Sequence, residues 1–134
     1  MGGDNMNQKN VRFGDFIKLK RLALEITLRD MCERIGFSPA YLSDIENNRR
    51  YPMDNDKLEL LIKELKLSAE DQEMLYDLAG KERKGAVSPD LPEYIMDSEV
   101  APYVRMALRT AKQNDVTVDE WKRIIEELGR KDKV

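Results

Sequence analysis

Apolar positions along the chain return every three or four residues, the period of an amphipathic helix. The first run opens at Phe13, where Phe13, Ile17 and Leu24 share one face and Phe16, Leu19 and Ala23 a second, predicting a helix covered on two sides. Thr27 then begins "TLRD", a hydroxyl placed to cap a helix with a carboxylate three residues later, and Leu28, Met31, Cys32 and Ile35 follow at helical spacing. Gly36, the residue best able to take positive φ, must end that helix. Ser38 caps again, with Pro39 at the first helical position, where a missing N–H costs nothing, and Leu42 and Ile45 facing inward. "NNRRYPMDN" breaks the pattern, because Pro52 holds Tyr51 out of the α region. Leu58, Leu61, Ile62 and Leu65 mark a fourth helix, and Ser68 starts a fifth through "SAED" that carries Met74, Leu75 and Leu78 to a stop at Gly80.

"GKERKGAVSPDLP", residues 80–92, combines charge, glycine and proline and reads as a linker or hinge. Beyond it the pattern predicts a short helix around Tyr94 to Met96. A longer one follows, capped by Ser98, with Val100, Val104, Ala107, Leu108 and Ala111 inward. The last is opened by the capping box "TVDE" at Thr117–Glu120 and has Trp121, Ile124, Ile125 and Leu128 as its stripe. The organisation is therefore a flexible leader over 1–11, a domain over 12–80, a linker over 81–92, and a helical segment over 93–134 suited to dimerisation or partner binding.

Composition agrees with an all-α fold: 134 residues, 41 % apolar beside 37 % charged. No window approaches a membrane span and the N-terminus shows no signal pattern, so a cytoplasmic protein with no membrane role is expected. Cys32 is the only cysteine, which excludes an internal disulfide and a thiolate zinc cluster and leaves it as a small core residue. Histidine is absent, removing Ser-His-Asp and Cys-His arrangements and the commonest general base at neutral pH. The carboxylates are spread among lysines and arginines at helical spacings, as on solvated faces, so an enzyme is not expected and no cofactor is implied. The net charge of −3 hides an uneven distribution: residues 12–52 hold eight Lys/Arg against six Asp/Glu, and residues 53–80 three against eight. Any electrostatic footprint for nucleic acid lies in the first block.

That block contains the short connection Gly36-Phe37-Ser38, a turn that makes two helices cross steeply in helix-turn-helix geometry. In proteins built this way the second helix enters the major groove by its N-terminal turn. The stretch "TLRDMCERIGFSPAYLSDIENNRRYP" resembles the helix-turn-helix of the lambda-repressor-like, Cro/XRE family of bacterial and phage regulators. Thr27, Cys32, Gly36, Ser38, Tyr41, Ile45-Glu46-Asn47, the arginine pair and Pro52 fall at the family's spacing, over residues 12 to about 80. The resemblance implies a five-helix domain that binds double-stranded DNA as a homodimer, with helix 38–46 as its recognition helix. It implies DNA contacts from Arg29, Ser38, Pro39, Ala40, Tyr41, Ser43 and Asp44, phosphate contacts from Asn47, Arg49 and Arg50, and a structural ion pair between Arg21 and Glu46.

The outward positions depart from the usual pattern. Leu28, Pro39, Ala40 and Asp44 stand where relatives often carry long polar donors, and none can fork onto a purine edge. Ala40 could touch a thymine methyl, and Asp44 could accept from a cytosine amino group while repelling phosphate, so specificity is expected to lean on DNA shape and backbone contacts. The expected function is a transcriptional repressor. The rival is an antitoxin-like or adaptor module that uses the same scaffold chiefly to hold another protein. The resemblance also brings a toxin or a metalloprotease of the same module as a protein partner.

Overall fold

The computed structural model describes residues 11–83 and 87–130. Within them lie eight helices: α1 (Phe13–Ala23), α2 (Leu28–Ile35), α3 (Pro39–Glu46), α4 (Asn55–Leu65), α5 (Ala69–Lys81), α6 (Pro92–Met96), α7 (Ala101–Gln113) and α8 (Val118–Gly129). The fold is all-α, and the chain divides into two compact units, Met1–Pro92 and Glu93–Val134. Apart from Val11, the expected leader lies outside the described residues, as do positions 84–86 of the expected linker.

In the first unit α1 packs on α3 and α5, and α2 on α3 and α4. Phe13, Ile17, Met31, Leu42, Ile45, Leu58, Leu61 and Leu75 are completely buried between them, each worth about 1.5–3 kcal/mol of transfer free energy. Local signals act as the sequence suggests. Thr27 Oγ1 accepts from the Asp30 N–H at 3.0 Å, Ser38 Oγ from Tyr41 N–H at 3.1 Å, and Ser68 Oγ from Asp71 N–H at 3.1 Å. Gly36 closes α2 at φ 75°, the left-handed conformation its place requires. Cys32 is buried in the core, and burial pushes its thiol pKa up, away from the reactive thiolate.

Helix α1 is covered on one side, not two. Its buried face is Phe13, Gly14, Phe16, Ile17 and Arg21, whereas Leu19 and Leu24 are 50 % and 40 % exposed and Ala23 faces solvent. The face that meets α3 includes two residues an apolar count ignores. Gly14 lies where a Cβ would come within 2.1 Å of the Ile45 carbonyl oxygen, so its bare backbone lets α1 and α3 touch. Arg21 reaches into the interior, donating from Nε and Nη2 to the two Glu46 carboxylate oxygens at 2.7 and 2.8 Å and from Nη1 to the Ile26 carbonyl at 2.8 Å. The hydrogen bonds to Glu46 raise the Arg21 pKa and keep the guanidinium charged despite its burial.

Gly80 does not stop α5. The helix continues to Lys81, and Gly80 is buried where an added Cβ would stand 2.7 Å from the Ser88 N–H nitrogen. The returning chain packs there, tied by a 2.6 Å bond from Ser88 Oγ to Asp77 Oδ1, and Arg83 donates to the Pro52 carbonyl. The glycine serves close approach, and the first and last parts of the expected 81–92 linker belong to the packed unit.

In the second unit Ser98 is not the cap of α7. Its Oγ donates to the Tyr94 carbonyl at 2.6 Å, and Val100 takes the cap position without a side-chain bond. The capping box of α8 forms as expected: Thr117 Oγ1 accepts from Glu120 N–H at 3.2 Å and Thr117 N–H donates to Glu120 Oε1 at 2.8 Å, a bond that holds the Glu120 pKa below the usual range. Of the residues expected inward, Val104 and Ala111 are half-buried, but Val100, Ala107 and Leu108 are exposed, as are Trp121, Ile124, Ile125 and Leu128. Two helices of this length have too little surface to cover each other's stripes.

Candidate nucleic-acid interface

The interface candidate is built around α3. Its N-terminus is set by the Gly36 turn and the Ser38 cap, and the T-shaped contact of Phe37 with Tyr41, centroids 5.2 Å apart, fills the inside of the turn. Its C-terminus is held from behind by two devices. One is the buried Arg21–Glu46 pair. The other is Asn48, in the left-handed region at φ 60°, whose Oδ1 accepts from the Gly14 N–H at 2.9 Å while its Nδ2 donates to Asp15 Oδ1 at 3.0 Å. Asparagine tolerates that backbone better than most residues, and here its side chain joins the end of α3 to the first turn of α1. The helix is thus fixed at both ends while its outer face is left to solvent.

On that face Ser38, Pro39 and Ala40 are exposed, and Tyr41, Ser43 and Asp44 are half-buried. Asn47 Nδ2 donates to the Ser43 carbonyl at 2.9 Å and to Ser43 Oγ at 3.3 Å, so this amide is partly engaged within the helix end. The Asp44 carboxylate lies 3.8 Å from Arg49 Nη1 and 3.5 Å from Arg50 Nε. The acid expected to face bases therefore stands between the two arginines, and each of these exposed pairs is worth at most about 1 kcal/mol. The Arg50 guanidinium also stands 4.9 Å from the Tyr41 ring centroid. These contacts join Tyr41, Asp44, Arg49 and Arg50 in one group and Ser43 with Asn47 in another; Ser38 caps the helix, and Arg29, exposed on the first turn of α2, Pro39 and Ala40 belong to neither group.

Two neighbours carry no local signal in the sequence. Lys57, in the first turn of α4, places its ammonium 5.1 Å from the same Tyr41 ring, and Arg83 arrives at the Pro52 carbonyl from the end of α5. Lys57 was discoverable only as a cation just inside a capped helix start, and Arg83 only once the packing of α5 is known. Among the described residues no group of three or more His, Cys, Asp or Glu is placed to hold a metal, and no helix is long and apolar enough to cross a membrane.

Residues 17–72 match the family model described as Helix-turn-helix. Over 67 residues, half of this chain, the sequence is 39 % identical to uncharacterized HTH-type transcriptional regulators from two strains of Mycobacterium tuberculosis. The match covers 45 % of those proteins, so the chain spans about half the length of the curated relatives it matches. Among solved structures, the SinR protein/SinI protein complex aligns with 91 % of this chain and 99 % of its own at a TM-score of 0.44 and 21 % identity.

Proposed function

We propose that residues 17–72, which match the Helix-turn-helix family model, form a DNA-binding domain of the lambda-repressor-like kind, and that the chain is a sequence-specific regulator that binds double-stranded DNA and represses transcription in the cytoplasm. It acts by binding and not by chemistry. The observation that carries this reading is the rigid presentation of α3: capped at Ser38, fixed at its far end by Arg21–Glu46 and Asn48, and bordered by Arg49 and Arg50. That is the construction needed to lay a helix N-terminus in a major groove with cations at the adjoining phosphates. Pro39, Ala40 and Ser43 offer small groups to base edges and Asp44 is occupied by arginines, so shape and backbone contacts supply most of the discrimination.

The regulator works as a homodimer through its second unit. Helix α7 carries Arg105, Arg109 and Lys112 and no acid, whereas α8 carries Asp119, Glu120, Glu126 and Glu127 against Lys122 and Arg123. A two-fold pairing that lays α7 of one copy on α8 of the other would cover both exposed apolar stripes and match opposite charges.

The test of DNA binding is its salt dependence. Arg49→Ala with Arg50→Ala weakens binding to all duplex sequences alike and flattens the plot of log K against log salt by about 0.9 for each phosphate no longer neutralised. An unchanged slope in a protein that still binds DNA removes these arginines from the phosphate grip.

A further inference from the structure

A cleft of about 680 Å³, open to solvent, lies between the loop that follows α3, the first turn of α4 and the residue stretch ending α5. Its lining includes Tyr41, Arg50, Tyr51, Lys57 and Arg83, with Asp54 as its carboxylate. Arg50 and Lys57 both stand close to the Tyr41 ring, at 4.9 and 5.1 Å, and the hydrogen bond to the Pro52 carbonyl holds Arg83 at the same place. Three cations so gathered repel one another. The tyrosine face, the Asp54 carboxylate in the lining and Asp44, 3.5 Å from Arg50 Nε, offset part of this, but two carboxylates stand against Arg50, Lys57 and Arg83, and Asp44 is shared with Arg49. The cleft keeps a positive excess that an anion would relieve. Tyr51, 74 % exposed, offers a large ring to whatever fills it.

The position of the cleft says which anion. Tyr41 and Arg50 belong both to this cleft and to the α3 surface, so its contents would be continuous with whatever α3 binds. On the far side of Arg50 and Tyr51 a second cleft, of about 240 Å³, is lined by Arg49 and by Arg12, the latter paired with the Glu82 carboxylate of the same cleft at 3.2 Å. A ridge with cations on both sides suits a strand carrying charges at regular intervals better than one small ion. We propose that this cleft seats a phosphodiester of the DNA strand flanking the half-site, with Lys57 and Arg83 extending the protein's grip past α3. The proposal rests on the DNA-binding reading above.

The experiment uses the full chain and an operator duplex recovered by selection with the unmodified protein. Lys57→Gln with Arg83→Gln, both at exposed positions, is compared with the unmodified chain and with Lys57→Arg, after thermal melts confirm that each is folded. The expected result is a salt slope shallower by about 0.9 for each phosphate the variant no longer neutralises, an unchanged order of preference among operator variants, and a slope retained in Lys57→Arg. Replacing single flanking phosphates by neutral methylphosphonates should weaken the unmodified chain at one position and leave the double variant unaffected there. Lys57→Gln alone, should the double variant not fold, is expected to show the effect of a single phosphate. Tight operator binding with the same slope and the same methylphosphonate response in the glutamine variants overturns the seat and leaves the DNA-binding reading intact. An unmodified chain that binds no duplex overturns both.

Discussion

Replacing Gly14 by alanine sets two effects against each other. Alanine is the better helix former by up to about 1 kcal/mol, so an exposed glycine in α1 would gain from the change. Gly14, however, faces α3. Its new Cβ would lie 2.1 Å from the Ile45 carbonyl oxygen and 2.9 Å from that of Glu46, both main-chain atoms that no rotamer change can move away. Ordinary contact begins near 3.4 Å, so the two helices must part by roughly 1.3 Å at this point. Overpacking of this kind costs about 1–3 kcal/mol. Parting the helices also stretches the Gly14–Asn48 bond, for about another 1 kcal/mol. The clash therefore outweighs propensity, with a net loss of about 1–3 kcal/mol. In a domain of this size each kcal/mol lowers Tm by about 4–8 °C, which circular dichroism melts resolve easily. A Gly14→Ala chain as stable as the original would refute the claim that this glycine sets the approach of α1 to α3.

Two further substitutions separate scaffold from assembly. Glu46→Ala strands the buried Arg21 guanidinium, which still has only the Ile26 carbonyl, and should cost about 3–5 kcal/mol in denaturant melts; full stability with lost DNA affinity would instead assign Glu46 to the binding surface. Ile125→Asp with Leu128→Asp alters side chains that are 64 % and 63 % exposed, so the first unit should melt as before while light scattering reports monomers and operator affinity falls; a variant that remains dimeric contradicts the pairing of α7 with α8.

Much of this was legible because it is written locally. The caps at Thr27, Ser38, Ser68 and Thr117 each need only a hydroxyl and the backbone three residues on, and Gly36 needs only its own φ. The spacing between Gly36 and Ser38 then fixes the helix pair that presents α3. Readings failed where a tertiary neighbour decides. Gly80 has the look of a helix stop, but its bare backbone is used by Ser88. Ser98 has the look of a cap, but its hydroxyl turns back to Tyr94. Leu19 and Ala23 mark a second apolar stripe on α1 that is left exposed among the described residues. At the interface candidate the helix and its arginine pair could be named from the sequence. The placing of Asp44 between those arginines depends on how the loop folds, and the arrival of Lys57 and Arg83 beside Tyr41 depends on α4 and α5. Gly14 and Asn48 carry no recognisable signal apart, because each has meaning only against the other.

Whether α3 reads duplex DNA is decided by selecting bound duplexes from a random library with the purified full chain at physiological salt and sequencing them. A dimer presenting two α3 helices should enrich one motif with two-fold symmetry, its half-sites about one helical turn, ~34 Å, apart, and lose that enrichment when Ala40 and Ser43 are replaced by bulky residues. Recovery of a library no different from the input, by a folded protein, would contradict DNA reading by α3.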